Sequence, residues 1–156
     1  LACLKPLRPN FVLAAAHMPP VDLGPRLVDT SVWIRADRKG HETLKNRLKE
    51  LLVADFVSIC WPIRAELLIG VKTLERSEIL DEQLAALEQV PMTESTWSRA
   101  ARLGHMLARK GQSVPLPDLL IAATALLHGL TLWTVDSDFK RIAAVAPLDL
   151  DIFGTE

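Results

Sequence analysis

The pattern of hydrophobic and polar residues predicts strands that alternate with helices. Short apolar runs rich in β-branched or aromatic residues are typical of buried strands. Such runs occupy residues 26–29, 56–60 and 132–135, and residues 148–153 alternate acidic and apolar side chains as an edge strand does. Because helical patterns lie between these runs, the order indicates a single α/β domain with a mainly parallel central sheet flanked by helices.

Amphipathic stretches predict most of the helices. Leucines at helical spacing predict a helix over residues 42–54, and charged amphipathic patterns predict helices over 75–90 and 94–110. A further helix is expected to start at Pro62, because proline is favoured at a first helical position. On the helix over 94–110 we expect five buried or close-packed positions, namely Trp97, Ala101, Gly104, Met106 and Leu107.

One helix is apolar on nearly every side. Residues 119–128 carry almost no polar side chain, and Gly129 ends the run. A helix of this composition is expected to be central and buried. We expect Asp118 to open it as the capping residue, where a carboxylate meets free N–H groups and the positive end of the helix dipole.

Acidic residues follow two of the predicted strands directly. Asp29 comes after the first apolar run, and Asp136 and Asp138 come after the third. In open α/β sheets, the carboxyl ends of the strands form the edge where ligands bind. The ordinary alternatives are a helix cap for Asp29 and a turn into the next helix for the other two.

A fourth candidate lies on a predicted helix. Glu66 has apolar neighbours three and four residues away, so its carboxylate lies on an apolar face. Burying a lone carboxylate is costly, so it needs a partner, a proton or a cation. A buried ion pair with Arg64 or Arg102 is the structural alternative. Carboxylates that gather at low dielectric favour Mg²⁺ or Mn²⁺, and such sites commonly hydrolyse phosphodiesters.

Composition narrows the class of protein. The chain has 156 residues, of which 49% are hydrophobic and 24% are charged, so it is long and apolar enough to form one folded domain. Its two cysteines offer neither a disulfide framework nor a zinc spacing, which favours a reducing, intracellular setting. No apolar run reaches the roughly 20 residues of a membrane span. The net charge of −1 hides a mildly basic surface if five acids share one pocket, and such a surface suits a polyanionic substrate.

The N-terminal stretch differs from the rest. Residues 1–25 hold five of the ten prolines and show no period. We expect them to be a leader of vector-derived or foreign origin, and residues 26–156 to be the functional domain. The pair His17-Met18 is similar to a cloning-site junction, with Met18 as the natural start.

Four segments carry a family resemblance. They are Leu-Val-Asp-Thr-Ser at 27–31, Glu-Leu-Leu-Ile-Gly at 66–70, Asp-Leu-Leu-Ile-Ala-Ala-Thr-Ala at 118–125 and Thr-Val-Asp-Ser-Asp-Phe at 134–139. In this order and at these separations they resemble the motifs of PIN-domain ribonucleases, and within that family those of VapC toxins from prokaryotic toxin–antitoxin pairs.

The resemblance implies a function and a site. It implies a cytoplasmic, homodimeric endoribonuclease, dependent on one or two Mg²⁺ or Mn²⁺ ions, that hydrolyses RNA phosphodiester bonds with metal-activated water. A cognate antitoxin would hold it inactive, and we expect a basic side chain such as Arg to block the pocket. The catalytic and metal-binding quartet that the resemblance implies is Asp29, Glu66, Asp118 and Asp136. The supporting residues that it implies are Asp138, Thr30, Ser31 and Thr134.

Two other functions stay open at this point. The chain is also compatible with another metal-dependent nuclease of RNA processing, or with a non-enzymatic module that binds RNA or a partner. Retention of all four acids disfavours the binding module, which has no need of them. The four tryptophans are expected in the core rather than as base-stacking platforms. Arg35, Arg38 and Lys39 are expected in a solvated charged loop rather than on phosphates.

Overall fold

The computed structural model describes residues 24–154. Nearly all of the expected leader, residues 1–23, lies outside that range. The described chain contains a parallel sheet whose strands are β1 Arg26–Val28, β2 Val57–Ile59, β3 Glu88–Gln89, β4 Thr131–Thr134 and β5 Leu150–Ile152. Their spatial order is β3-β2-β1-β4-β5, and all four pairings are parallel. The expected α/β fold with a mainly parallel sheet is confirmed.

Helices connect the strands. They are α1 Thr30–Asp37, α2 Glu42–Val53, α3 Trp61–Ile69, α4 Leu74–Ala85, α5 Glu94–Ala108, α6 Leu116–His128 and α7 Phe139–Ala143. The core between sheet and helices is filled by apolar side chains such as Leu27, Ile59, Ile121 and Leu132, which have no exposed surface. Because β1 is central and pairs with both β2 and β4, the ends of these three strands lie side by side.

The helix expected over residues 75–90 was too long. Helix α4 ends at Ala85, and the next residues form the short strand β3 at the edge of the sheet. The backbone N–H of Val90 donates to the carbonyl of Ile59 at 2.9 Å, so this segment satisfies its backbone on β2. A strand of two residues is too short to show an alternating pattern, and Leu87 happens to continue the helical spacing.

The buried face of α5 also differs from the expectation. Trp97 is 54% exposed and Met106 is 42% exposed, and Ala101 is exposed as well. Leu107 is buried as expected, and the other buried residues of this helix are Thr96, Ala100 and Leu103. The bulky apolar residues Trp97 and Met106 suggested a buried stripe that lies beside the one observed. Thr96 and Ala100 are small enough to let the helix approach its neighbour closely.

Gly104 shows how close that approach is. A Cβ atom on Gly104 would lie 3.0 Å from Cδ1 of Leu119, so α5 and α6 pack almost backbone to side chain at this point. The expectation that Gly104 is close-packed is confirmed. This contact fixes the first turn of α6, where Asp118 lies next to Leu119.

Helix α6 is the central helix, as expected, but it starts earlier. It begins at Leu116, so Asp118 is its third residue and Pro115 occupies the capping position. The prediction that Asp118 caps the helix is therefore wrong by about one turn. Gly129 ends the helix in the left-handed conformation, with φ of 62°, as its position suggested.

Only two of the four tryptophans are in the core. Trp33 and Trp133 are fully buried, and the indole N–H of Trp33 donates to the carbonyl of Val28 at 3.1 Å. Trp61 is 61% exposed and Trp97 is exposed too, so the expectation fails for these two. Across residues 24–154, no helix is both long and apolar enough to span a lipid bilayer.

The corrected face of α5 predicts unequal effects of two truncations. Replacement of buried Leu103 by alanine should lower the free energy of unfolding by about 2–5 kcal/mol, because it opens a cavity against α6. Replacement of the exposed Met106 should cost less than about 1 kcal/mol. Urea unfolding of both variants measures the difference, and equal losses would contradict the observed packing.

Candidate active site

Asp29 joins the end of β1 to the start of α1. Its side chain caps α1 and accepts the backbone N–H of Ser31 at 3.2 Å. The hydroxyl of Ser31 donates to the same carboxylate oxygen, Oδ2, and the hydroxyl of Thr134 donates to it at 2.9 Å. Within the described chain, Oδ1 accepts no hydrogen bond, so one oxygen is fixed and the other is available to a ligand. The capping alternative is therefore real, and it orients the carboxylate.

Glu66 projects from α3 toward α1. Its Oε2 accepts the hydroxyl of Thr30 at 2.5 Å. The alternative ion pair with Arg64 is absent, because the guanidinium of Arg64 binds Asp81 at 2.6 Å on the other side of α3. Thr30 and Ser31 are adjacent on α1, and their hydroxyl groups bind Glu66 and Asp29. One short segment therefore holds two of the four predicted acids.

The turn after β4 contributes two more acids. The backbone N–H of Asp136 donates to the hydroxyl of Thr134 at 2.9 Å, and the N–H of Asp138 donates to Oδ1 of Asp136 at 2.8 Å. Thr134 therefore accepts from Asp136 while it donates to Asp29, which ties the ends of β4 and β1 together. The turn that was the alternative interpretation is present, and Thr134 links it to Asp29.

The electrostatics show that the acids lie together. The pKa of Asp118 is raised to about 7, first by burial and then by the negative charges of four other acids. Those acids are Asp29, Glu66, Asp136 and Asp138. Burial also raises the pKa of Asp29, and the charge of Glu66 adds to it, although the hydrogen bonds from Ser31 and Thr134 oppose the shift. We call these five side chains the acidic cluster.

The acidic cluster lacks internal neutralisation for most of its charge. Within residues 24–154, no acid of the predicted quartet has an ion-pair partner. The fifth acid of the cluster, Asp138, pairs with the guanidinium of Arg141. Sequence reasoning missed Arg141, although its position three residues after Asp138 on a helix is a usual spacing for an ion pair. An oxygen-only donor set with excess negative charge suits Mg²⁺ or Mn²⁺.

The spacing of the side chains limits how a cation fits. Among the described residues, no three side chains of the Asp, Glu, His or Cys type are close enough to hold one ion together. Mg²⁺ commonly keeps several waters and binds protein through one or two carboxylates. The acidic cluster therefore fits a partly hydrated ion better than an all-protein cage. The identification of all four acids as direct ligands stays a prediction.

Cys60 lies beneath the acidic cluster. It is fully buried, and burial raises the pKa of its thiol to about 12, with further increases from the charges of Asp29 and Glu66. A thiol that stays protonated is a poor metal ligand or nucleophile. The interpretation of Cys60 as a small core residue agrees with this environment. Arg35, Arg38 and Lys39, at the end of α1 and just after it, are exposed.

Two cavities flank the sheet, and they differ in charge. A cavity of about 300 Å³ adjoins the acidic cluster and is lined by Ile34, Asp37, Arg38, Glu66, Leu67, Gly70 and Val71. A larger one of about 650 Å³ lies at the opposite edge, where β1 and β4 begin. In its wall Asp151 binds Arg26 at 3.0 Å and Arg47 at 2.6 Å, so its negative charge is compensated. The larger cavity is therefore not the one beside the uncompensated acids.

Comparisons with known proteins agree with this geometry. The PIN domain profile matches residues 26–145. Ribonuclease VapC18 of Mycobacterium tuberculosis is 33% identical over 122 residues, which cover 76% of this chain and 87% of that protein. Ribonuclease VapC5 of the same species is 33% identical over 130 residues, covering 80% of this chain and 92% of that protein.

Solved structures give the same result. VapBC2 from Rickettsia felis, bound to a DNA fragment from its promoter, contains a chain that is 28% identical with a TM-score of 0.67. The match covers 82% of this chain and 98% of that one. VapBC-5 from Mycobacterium tuberculosis is 27% identical with a TM-score of 0.57, over 83% and 97% of the two chains.

The raised pKa of Asp118 predicts how stability depends on pH. Its folded pKa of about 7 exceeds the ordinary value of 3.8, so the folded protein binds more protons than the unfolded chain between those values. In EDTA, thermal stability should therefore fall as pH rises from about 4 to about 7. Asp118→Asn should make this slope shallower, whereas Glu50→Gln on exposed α2 should not. Equal slopes for Asp118→Asn and the unsubstituted protein, measured by thermal unfolding, would contradict the assignment.

Proposed function

Because the chain belongs to the PIN domain family, we propose that it is a VapC-type endoribonuclease that hydrolyses RNA with the help of Mg²⁺ or Mn²⁺. The observation that carries the proposal is the acidic cluster, which gathers five carboxylates at the carboxyl edge of the sheet. Such a cluster is costly in a folded protein unless a cation or protons compensate it. The match to ribonucleases along most of the chain supports RNA as the substrate.

One or two carboxylates of the quartet would hold a partly hydrated cation, and the neighbouring hydroxyl groups would orient these carboxylates. Oδ1 of Asp29 and the carboxylates of Glu66, Asp118 and Asp136 are the oxygens available for binding. A bound Mg²⁺ or Mn²⁺ supplies positive charge for the phosphodiester transition state and makes water more acidic. Ser31 and Thr134 fix Oδ2 of Asp29, so its other oxygen keeps one direction.

The hydroxyl groups have a positioning role in this proposal. Thr30 fixes Glu66, and Thr134 fixes Asp29 while it accepts from the turn that bears Asp136. Groups that orient metal-binding side chains typically contribute a factor of about 10–100 in affinity or activity. None of these hydroxyls is placed beside a histidine that could activate it within the described chain, so they are unsuited to act as nucleophiles.

We also propose a partner. Of the two structural relatives named above, both above 25% identity, one is VapBC2 from Rickettsia felis and the other, VapBC-5, is a member of the VapBC family of toxin–antitoxin systems. By analogy this chain would bind a cognate antitoxin in the cytoplasm and would form a homodimer. The cavity of about 300 Å³ beside Glu66 offers space for a basic side chain of the antitoxin, which would pair with the unneutralised acids.

Removal of one quartet carboxylate should abolish cleavage. Asp29→Asn keeps the shape of the side chain and its cap while it removes the charge, so metal-dependent cutting of total cellular RNA should fall more than about 100-fold. EDTA should suppress the unsubstituted enzyme to the same extent. Gel analysis of the RNA fragments measures both effects.

Glu50→Gln is the matched control, because it removes an exposed acid from α2 without touching the acidic cluster. Its activity should equal that of the unsubstituted protein. Cutting by the antitoxin-free protein that persists in EDTA, or in Asp29→Asn, would overturn the proposed mechanism.

An antitoxin that covers the acids should compete with cations. Linkage is reciprocal, so saturating antitoxin should weaken Mn²⁺ binding by at least about tenfold, and Mn²⁺ should weaken antitoxin binding by the same factor. Free Mn²⁺ in titrations can be measured by electron paramagnetic resonance. Unchanged Mn²⁺ affinity in the complex would show that the antitoxin leaves the acidic cluster open.

A further inference from the structure

Arg141 joins two segments that carry acids of the site. It lies on α7, and its Nη1 donates to the carbonyl of Ser113 at 3.0 Å. Its Nη2 donates to Oδ1 of Asp138. Ser113 belongs to the connection between α5 and α6, five residues before Asp118, and Asp138 is two residues after Asp136. One guanidinium therefore bridges the segments from which Asp118 and Asp136 project.

The bridge continues inward through hydrogen bonds. The N–H of Asp138 donates to Asp136 Oδ1 at 2.8 Å, and the N–H of Asp136 donates to Thr134 Oγ1 at 2.9 Å. The hydroxyl of Thr134 in turn donates to Asp29 Oδ2 at 2.9 Å. Arg141 is the outer anchor of a continuous path that ends on Asp29.

The charge distribution separates Asp138 from the other acids. In the part of the chain that the structure describes, Asp138 is the single member of the acidic cluster with a cationic partner. Asp138 is paired with Arg141, whereas the four acids of the quartet form no ion pair within the described chain. This pairing distinguishes an acid held in a structural role from the acids that need an external cation.

We propose that Arg141 is a positioning residue for cation binding. It clamps the β4–α7 turn to the α5–α6 connection, and so keeps Asp136 and the start of α6, which bears Asp118, in fixed positions relative to each other. The inference rests on the proposed metal dependence of the site. It assigns Arg141 no contact with the cation itself.

Arginine is suited to this clamp and lysine is not. The planar guanidinium offers several N–H groups in a rigid fork, so it binds a carboxylate and a carbonyl at the same time in one fixed geometry. The single ammonium of lysine offers no such fixed spacing. The identity of the residue therefore matters, as well as its charge.

The direction of a change in Mn²⁺ affinity tests the proposal. Arg141→Met removes a positive charge near the acids, so simple electrostatics predicts tighter Mn²⁺ binding. A positioning role predicts the opposite, a Kd for Mn²⁺ that rises about 10–100-fold. Isothermal titration of the full chain with MnCl₂ measures the Kd without any need for catalysis.

Lys140→Met is the matched control. It removes the same charge from the same helix, and Lys140 is exposed. Its Mn²⁺ affinity should stay within about twofold of the unsubstituted protein, because it leaves the clamp intact. A Kd that is unchanged or lower in Arg141→Met, or a rise of equal size in Lys140→Met, would overturn the proposal.

Arg141→Lys extends the test to a variant that keeps the charge. If the methionine variant is not folded at the assay temperature, the lysine variant carries the same comparison. A raised Kd in Arg141→Lys supports the clamp, and an unchanged Kd overturns it. Absence of Mn²⁺ binding to the unsubstituted protein would instead show that the proposed metal dependence is wrong, so the two failures are distinguishable.

Discussion

The partial burial of acids that form no ion pair in the described chain is the constraint on which the rest of this structure depends. Parallel strands end at one edge of a sheet, and here Asp29 follows β1 directly and Asp136 is the second residue after β4. The third residue of α6 and the middle of α3 bring two more to the same place. Burial, and then the charges of the neighbouring acids, raise the pKa of Asp118 to about 7. The fold itself therefore leaves much of this negative charge uncompensated.

The two edges of the sheet treat acids in opposite ways. At the amino edge, Asp151 binds both Arg26 and Arg47, and Arg47 also lies 5.1 Å from the ring centre of Trp133. At the carboxyl edge, Asp29, Glu66 and Asp136 accept hydrogen bonds from hydroxyl or amide groups, and no acid of the quartet forms an ion pair within the described chain. Hydrogen bonds orient a carboxylate without removing its charge. The larger cavity, at the amino edge, therefore lies beside an acid whose charge is compensated.

Small hydroxyl side chains do most of the orientation at the carboxyl edge. Thr30, Ser31 and Thr134 each donate to a carboxylate of the cluster, and two of them converge on one oxygen of Asp29. The close packing of Gly104 on Leu119 fixes the first turn of α6, so Asp118 approaches from a rigid element as well. Precision in such a site comes from rigid elements and from the groups that hold the binding side chains.

The sequence by itself determined the fold class, most elements and which acids come together at the carboxyl edge of the sheet. The apolar runs that end in Asp29 and Asp136 predict that these acids lie close together, because parallel strands end at the same edge of a sheet. The near-absence of polar residues in α6 predicts a central helix. The length of β3 and the buried face of α5 were decided by tertiary packing. A two-residue strand has no detectable period. On α5, the bulk of Trp97 led to the prediction of the wrong buried face, because the residues that pack against α6 are smaller.

Only the folded chain decided which acids have partners. Glu66 and Arg64 are two residues apart, yet they point to different helices, and Arg64 pairs with Asp81. Asp138 forms an ion pair with Arg141, whereas no acid of the quartet forms one within the described chain. Ion pairing depends on which side chains meet in space. Sequence separation predicts such meetings along one helix, where residues three or four apart are neighbours, but not across helices and turns. For this reason the acids could be listed from the sequence, whereas their charge balance required the tertiary structure.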